Sequence, residues 1–418
     1  MRVAGCSNNQ PMRERNIEAL VSYFQAGCKV PEKTKLGVEV EYILADASGK
    51  PLTYSGEHGV AWVLRQLAEK YPRVTEHDGD ILGVAASWMN VTIEPAAQME
   101  LSAGPFACLE RFRAAFEQFQ ADVMAIIGPL GYNMLSIGYD PCMRAIDKEL
   151  IPKERYRCMN RALSDISPSG PRMMRGTAST QVSVDYVSEH DAVQKMRVAS
   201  ALAPILALMM DNAPVYEGKP SPHKLMRVGV WRDLGPQRCN TVPCVFDADF
   251  GFRKYAEYLL DVPAIVVPDE TTGDVRADDR TFGEIYAQRP MDEAELFHAL
   301  GMVWPDARLK DYVEIRPADA APLPYVLAYT ALIKGLFYGQ ACDALARQFA
   351  TIDVGHVEEP KTALMAEGYQ ATVFGRPVGE YADELLELAR TNLASEEASF
   401  LDPLADLVSR RTTLADLS

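Results

Sequence analysis

Apolar and polar residues alternate one by one along several short segments of the chain and recur at steps of three and four along others. The first pattern marks half-buried strands, because successive strand side chains face opposite sides. The second marks one face of a helix. Alternation predicts strands over Leu36–Ala45 and over 89–94, 98–102, 132–137, 177–186, 264–267 and 308–316. Helical spacing predicts helices over 13–24 (Ile17, Leu20, Val21, Phe24) and 107–127 (Leu109, Phe112, Phe116, Phe119, Val123, Ile127), and over 190–210, 325–338, 381–393 and 396–408. The 190–210 segment opens polar and becomes apolar on all sides, as a buried helix does. Strands outnumber βαβ units, and neither G-x-G-x-x-G nor G-x-x-x-x-G-K-[ST] occurs. The pattern predicts an α+β fold around an antiparallel sheet. No repeat, linker or charge run divides residues 1–418, which are read as one body that turns mainly helical from about residue 320.

Four predicted strands share an unusual polar face. Glu39 and Glu41 point away from Leu36, Val38, Val40 and Tyr42. Gln98, Glu100 and Ser102 oppose Met99 and Leu101, with Glu94 and Pro95 just before them. Gln181, Ser183 and Asp185 oppose Val182, Val184 and Tyr186, and Glu314 and Arg316 oppose Val313 and Ile315. Glutamate is a poor strand former, and like charges this close repel unless a cation lies between them. On one strand the pattern reads as a solvated face. On four it points to a single sheet whose apolar side lies on helices and whose polar side lines a cavity. Carboxylates converging on a cavity suit Mg²⁺ or Mn²⁺. An arginine two positions from such a ligand suits a phosphate oxygen.

Composition narrows the class. Of 418 residues 48% are hydrophobic and 24% charged, the balance of a globular protein. A formal charge of −16 argues against nucleic acid as a partner. Eight cysteines with no paired CxxC spacing read as free thiols rather than a zinc site or a disulfide framework. The N-terminus lacks an apolar secretory core, and the longest apolar run, 199–210, is too short to span a bilayer. These features lead us to expect a cytoplasmic protein without a membrane partner; they say nothing of oligomeric state.

The segments GVEVE (37–41), TIEPAAQMELS (92–102), MMRGTASTQVSVDY (173–186) and YVEIRPAD (312–319) occur in this order. So do Asn212-Ala-Pro, Glu217-Gly-Lys219, the Arg227 to Arg238 stretch around Trp231, Phe250-Gly-Phe and Asp261-Val-Pro263. Over about residues 15–340 the chain resembles the glutamate–cysteine ligases of the plant and proteobacterial type. The resemblance implies the glutamine synthetase superfamily fold: a curved antiparallel sheet forming a funnel backed by helices. ATP enters at one end and the amino acid at the other, with Mg²⁺ between. It implies ATP-dependent formation of γ-glutamylcysteine from small-molecule amino acids through a γ-glutamyl phosphate, a step of glutathione biosynthesis. It also implies roles for residues. Glu39, Glu41, Glu94, Glu100 and Glu314 would hold metal, directly or through water, and Gln181, where related ligases often have histidine, is a further metal candidate. Arg316 and Glu41 would be catalytic, and Lys310 and Arg316 would meet the nucleotide. Arg175, Arg227, Trp231 and Arg238 would lie at the amino-acid end. Asn212 and Lys219 either touch nucleotide or close loops. Glu41→Gln and Glu314→Gln are expected to abolish turnover without unfolding the protein.

Three segments depart from the family pattern. Ala96-Ala97 stands where the family has Gly-Gly, and Arg316-Pro-Ala-Asp-Ala-Ala321 where it has Arg-Gly-Ala-Asp-Gly-Gly. Arg238-Cys-Asn240 replaces Arg-Thr-Gly. Glycine permits positive φ and close backbone approach. The changes leave open the same ligase, a ligase using a different acid or amine, and a non-catalytic amino-acid-binding paralogue. The retained Glu39, Glu41, Glu100, Glu314 and Arg316 speak against the last.

Overall fold

The computed structural model describes residues 10–269 and 274–417. Its central feature is a nine-stranded sheet in which every pairing is antiparallel. In chain order the strands are β1 (Leu36–Ala45), β2 (Arg73–His77), β3 (Asp80–Ala86), β4 (Met89–Ile93), β5 (Met99–Phe106), β6 (Asn133–Leu135), β7 (Ser179–Val184), β8 (Ala307–Leu309) and β9 (Val313–Asp319). Across the sheet they run β8-β9-β7-β1-β5-β4-β3-β2, with β6 beside the end of β1. The architecture is the expected α+β sheet backed by helices.

The period-two pattern sets the register. Val38 lies opposite Val182 on one side and Ala103 on the other, and Glu39 opposite Gln181 and Ser102. The apolar set (Val38, Val40, Leu101, Val182, Val184, Val313, Ile315) is buried. It packs on the helices Leu109–Ile127, Glu189–Met209 and Leu323–Phe337. Burying a set of this size provides the main folding drive. Among the described residues Glu189–Met209 is the one helix long and apolar enough to cross a bilayer, and 83% of its apolar window is buried inside the molecule. Beyond Asp319 the chain is helical apart from a ribbon formed by Thr372–Val373 and Arg376–Pro377.

Some expectations are corrected. The strand expected over 308–316 is a hairpin: β8 turns at Asp311 and returns as β9, bringing Arg308 opposite Glu314. β2 and β3 were not expected. All five residues of β2 are exposed, so no alternation marks it, yet Asp78 and Gly79 between the two strands both take positive φ (50° and 84°), the Asp-Gly hairpin signal. The 264–267 strand, extended to Pro263–Asp269, pairs with Asp274–Thr281 outside the main sheet. The helix expected over 396–408 breaks into Ser395–Ala398, a 3₁₀ turn and Asp402–Ser409, where Pro403 starts a new helix. The seven described cysteines are free thiols; Cys6 lies outside the described residues.

Candidate active site

The polar face of the sheet floors two cavities that meet at Glu39. The first, about 400 Å³, has Glu39, Glu41, Glu94, Glu100 and Gln181 on its floor and edge, facing Arg308, Lys310 and Arg316. The second, about 550 Å³, runs outward past Lys33, Lys35, Arg73, Trp88 and Tyr312.

β-Pairing puts Glu41 directly opposite Glu100, which in turn lies opposite Thr92. Glu41 accepts from the Ser179 N–H at 2.9 Å and the Ser179 hydroxyl at 3.0 Å. Burial and the charge of Glu94 nevertheless push its carboxyl up to about 7. Glu100 accepts from Thr92 Oγ1 at 2.9 Å, but burial and the charges of Glu39, Glu94 and Glu41 hold it well above the ordinary carboxylate range. Glu39 is raised by burial and by Glu314. Glu94 is raised by burial although Lys153 and Arg155 pull it down. Among the described residues none of these four carboxylates has an ion-pair partner. Four carboxylates sharing one cavity without a direct ion pair, among the described residues, form a donor set that suits divalent cations. No three of the described His, Cys, Asp or Glu side chains close around one point by themselves. A cation here would therefore draw part of its shell from a ligand such as phosphate.

Glu314 does not join that set. It is fully buried, and its oxygens are taken by Arg308 Nη2 (2.6 Å), Arg316 Nη1 (2.9 Å) and Lys310 Nζ (2.9 Å). Those three cations hold its carboxyl far below the ordinary range. Glu314, expected among the metal holders, is here the anion that gathers positive charge on the cavity wall. Gln181, the further metal candidate, lines the cavity and is hydrogen-bonded there. Its Oε1 accepts from Arg316, and its Nε2 donates to Ser179 Oγ at 3.3 Å. Arg316 and Lys310 stand at the cavity, as expected of groups that meet phosphate.

The amino-acid-end candidates divide. Arg227 and Trp231 line the cavity. Arg227 donates to the carbonyls of Arg316 (3.0 Å) and Pro317 (3.2 Å), which lie in the β-bulge between Ile315 and Ala318. The guanidinium groups of Arg227 and Arg316 both lie over the Trp231 ring, 5.7 and 5.8 Å from its centroid. Arg238 and Arg175 are not at the cavity. Arg238 binds the carbonyls of Met302 (3.1 Å) and Pro263 (2.8 Å) beneath Trp304. Arg175 binds the carbonyls of Ile146 (3.2 Å) and Lys148 (2.9 Å) and the Asn160 side chain. Both are buried cations bound mostly to backbone carbonyls, and the structure does not bring either of them to the cavity where a substrate role was expected. Asn212 closes a loop, donating to the carbonyls of Ser136 and Ala320. Lys219 is exposed on a short ribbon and lines neither cavity.

Lys153, Arg155 and Tyr156 line the acidic cavity and had not been singled out. They open the helix Glu154–Ile166, with Lys153 at its N-cap. Arg155 reaches the Gly301 carbonyl (3.4 Å) and the Met302 sulfur. The Lys153 ammonium lies 5.3 Å from the Tyr156 ring centroid, and among the described residues it has no ion pair. The cluster of two cations and a tyrosine ahead of a helix was the available signal.

Two of the glycine departures stand at left-handed backbone positions. Pro95, Ala96 and Ala97 form a three-residue hairpin loop closed by Ala97 N–H to Glu94 O (2.9 Å) and Glu94 N–H to Gln98 O (2.9 Å). Ala97 takes the left-handed position at φ 64°, the place where such a loop favours glycine. Asn240 likewise stands at φ 66°, a conformation asparagine tolerates better than most residues.

The family model of glutamate–cysteine ligase family 2 (GCS2) matches residues 35–416. The chain is 29% identical over 412 residues to the chloroplastic glutamate–cysteine ligase of Arabidopsis thaliana, covering 96% of this chain and 78% of that protein. It is 29% identical over 410 residues to the chloroplastic enzyme of Medicago truncatula (95% and 80% covered). To the chloroplastic ligase B of Oryza sativa subsp. japonica it is 28% identical over 414 residues (96% and 82%). The solved structure of the glutamate–cysteine ligase of Francisella tularensis in complex with AMP shares the fold, with a TM-score of 0.52 at 12% identity over 93% of this chain and 84% of that one. The expectation of a cytoplasmic location is overturned by these comparisons, since the plant relatives are chloroplastic proteins.

Proposed function

This chain belongs to the glutamate–cysteine ligase family, and we propose that it joins the γ-carboxylate of glutamate to the amine of cysteine at the expense of ATP. A carboxylate is a poor electrophile at neutral pH. Phosphorylation gives it a leaving group: a γ-carboxylate oxygen bonds to the γ-phosphorus, and ADP departs. The cysteine nitrogen then bonds to the acyl carbon, loses a proton, and phosphate departs. The observation that carries the reading is one cavity holding four unpaired carboxylates opposite Arg308, Lys310 and Arg316, the three cations gathered by Glu314.

In this reading the triphosphate enters through the lysine-rimmed cavity and glutamate occupies the acidic one, the two meeting at Glu39. Glu39, Glu41, Glu94 and Glu100 would hold Mg²⁺ or Mn²⁺, which when bound supplies positive charge to the phosphate oxygens. Arg316 and Lys310 would meet the equatorial oxygens of the transferring group, where phosphoryl transfer most needs positive charge. The Lys153 ammonium, without an anion of its own, suits the α-carboxylate of the amino acid. Trp231, beside two guanidinium groups, would form an apolar wall of the site.

A ligase using another acid or amine draws little support from Ala97 and Asn240, because both take the left-handed backbone that glycine favours. ADP release with ATP, Mg²⁺ and amino-acid pairs, followed by the mass of the product, tests the reading.

A further inference from the structure

We propose that Trp88 is the platform on which the nucleobase of ATP stacks. The assignment rests on the reading that the nucleotide enters through the lysine-rimmed cavity. Trp88 sits in the turn between β3 and β4 and is 57% exposed, although it is a large apolar side chain. It is nonetheless fixed in place. The Arg111 guanidinium lies 4.7 Å from its ring centroid and 4.3 Å from that of Phe106. The Phe106 ring meets Trp88 edge-on at 6.3 Å, and the Trp88 carbonyl accepts from the Gly104 N–H at 3.0 Å. Trp88 lines the cavity and Arg111 does not. The indole is thus held by a cation outside the cavity lining while more than half of its own surface stays exposed. An indole held in place and still exposed loses little freedom on binding, which is the property a stacking surface needs.

Its position in the sheet fits the same occupant. Met89, the next residue, lies opposite Ala103, and Ala103 opposite Val38, the neighbour of Glu39. The indole is thus about two strand spacings, roughly 10 Å, from the strand that carries Glu39. That interval is the length of a ribose and triphosphate laid across the sheet. Lys33 and Lys35 line the cavity, and among the described residues their ammonium groups have no ion pair. A base over Trp88 and phosphates past these lysines would end at the carboxylates. Stacking of this kind tolerates any base, so Trp88 supplies affinity for the nucleoside end rather than a choice among bases.

The test is equilibrium binding of ADP, ATP and inorganic tripolyphosphate, each with Mg²⁺, to the full-length protein. Trp88→Ala is expected to weaken ADP and ATP by about tenfold, to leave tripolyphosphate binding unchanged, and to remove the quenching of tryptophan fluorescence by ADP. Trp88→Phe should retain most of the nucleotide affinity while losing that quenching. Its exposure makes either change tolerable to the fold, which thermal denaturation verifies. Wild-type ADP affinity in Trp88→Ala would overturn the platform. The underlying reading has its own arm: Lys33→Ala with Lys35→Ala should weaken ATP and tripolyphosphate alike. If both ligands bind that variant as they bind wild type, the nucleotide does not use this cavity.

Discussion

The Arg316 guanidinium and the Glu314 carboxylate, two positions apart on the last strand of the sheet, are joined at 2.9 Å. Arg308 and Lys310 close on the same carboxylate. One buried anion therefore holds three cations against a cavity whose floor is acidic. Positive charge is positioned before any ligand arrives, and it does not collapse onto Glu39, Glu41 or Glu100.

Glu314→Gln is predicted to destabilise the protein by about 3–5 kcal/mol, because three cations lose their shared counter-charge in a desolvated place. This replaces the expectation of an intact fold. Glu314 has a depressed carboxyl, so its contribution is present above the ordinary carboxylate range and lost as pH falls below it. Thermal melts should separate wild type from variant widely at pH 7 and less at pH 3.

Glu41→Gln is predicted to behave in the opposite way. Glu41 is a buried carboxylate repelled by Glu94, so removing its charge should leave the melting temperature at pH 8 equal to or above that of wild type. Turnover should fall by roughly a hundredfold or more, the scale of losing an electrostatic group at a reacting centre. Parallel melting and ADP-release assays check both halves.

A second pH signature lies outside the cavity. Asp319 is pushed up to about 6 and Asp211 to about 7, each by burial, with Asp319's charge also acting on Asp211. A raised carboxyl binds its proton more tightly in the folded state. Its contribution is therefore greatest below about pH 4 and is lost as pH rises to 7. Asp319→Asn keeps an acceptor for the Asn212 N–H. It should gain stability relative to wild type by on the order of 1–3 kcal/mol between pH 5 and pH 8, read from paired denaturation curves.

Lys153→Met should raise the KM for the amino acid about tenfold or more, as expected for losing a charge-assisted contact to a carboxylate. The melting temperature should stay close to that of wild type, because no ion pair is broken. Steady-state kinetics with ATP saturating reports the change.

Ala97 carries the backbone argument. At φ 64°, Ala97→Gly should preserve activity. A β-branched Ala97→Val should cost about 1–3 kcal/mol, since branching at Cβ is poorly tolerated in the left-handed region. Denaturant midpoints of the two variants separate these outcomes.

The carboxylates were legible because they lie on strands, where a period of two ties sequence position to sheet face. Glu39, Glu41 and Glu100 could be placed together on that ground alone. Lys153 and Arg155 were not, because they sit at the start of a helix where no period points at the cavity. The cation cluster around Glu314 was hidden by the turn. A continuous strand over 308–316 leaves Arg308 far along the chain, whereas the hairpin at Asp311 folds it back opposite Glu314. Arg175 and Arg238 matched a family pattern whose segments are present, but burial among backbone carbonyls decided their use. That information lies in tertiary packing.

The account is tested most directly by ADP release from purified protein given ATP, Mg²⁺ and glutamate with or without cysteine, with the product identified by mass. The account predicts multiple-turnover ADP formation that requires both amino acids and yields γ-glutamylcysteine. No ADP from this pair, while other amino-acid pairs do release it or none does, would contradict it.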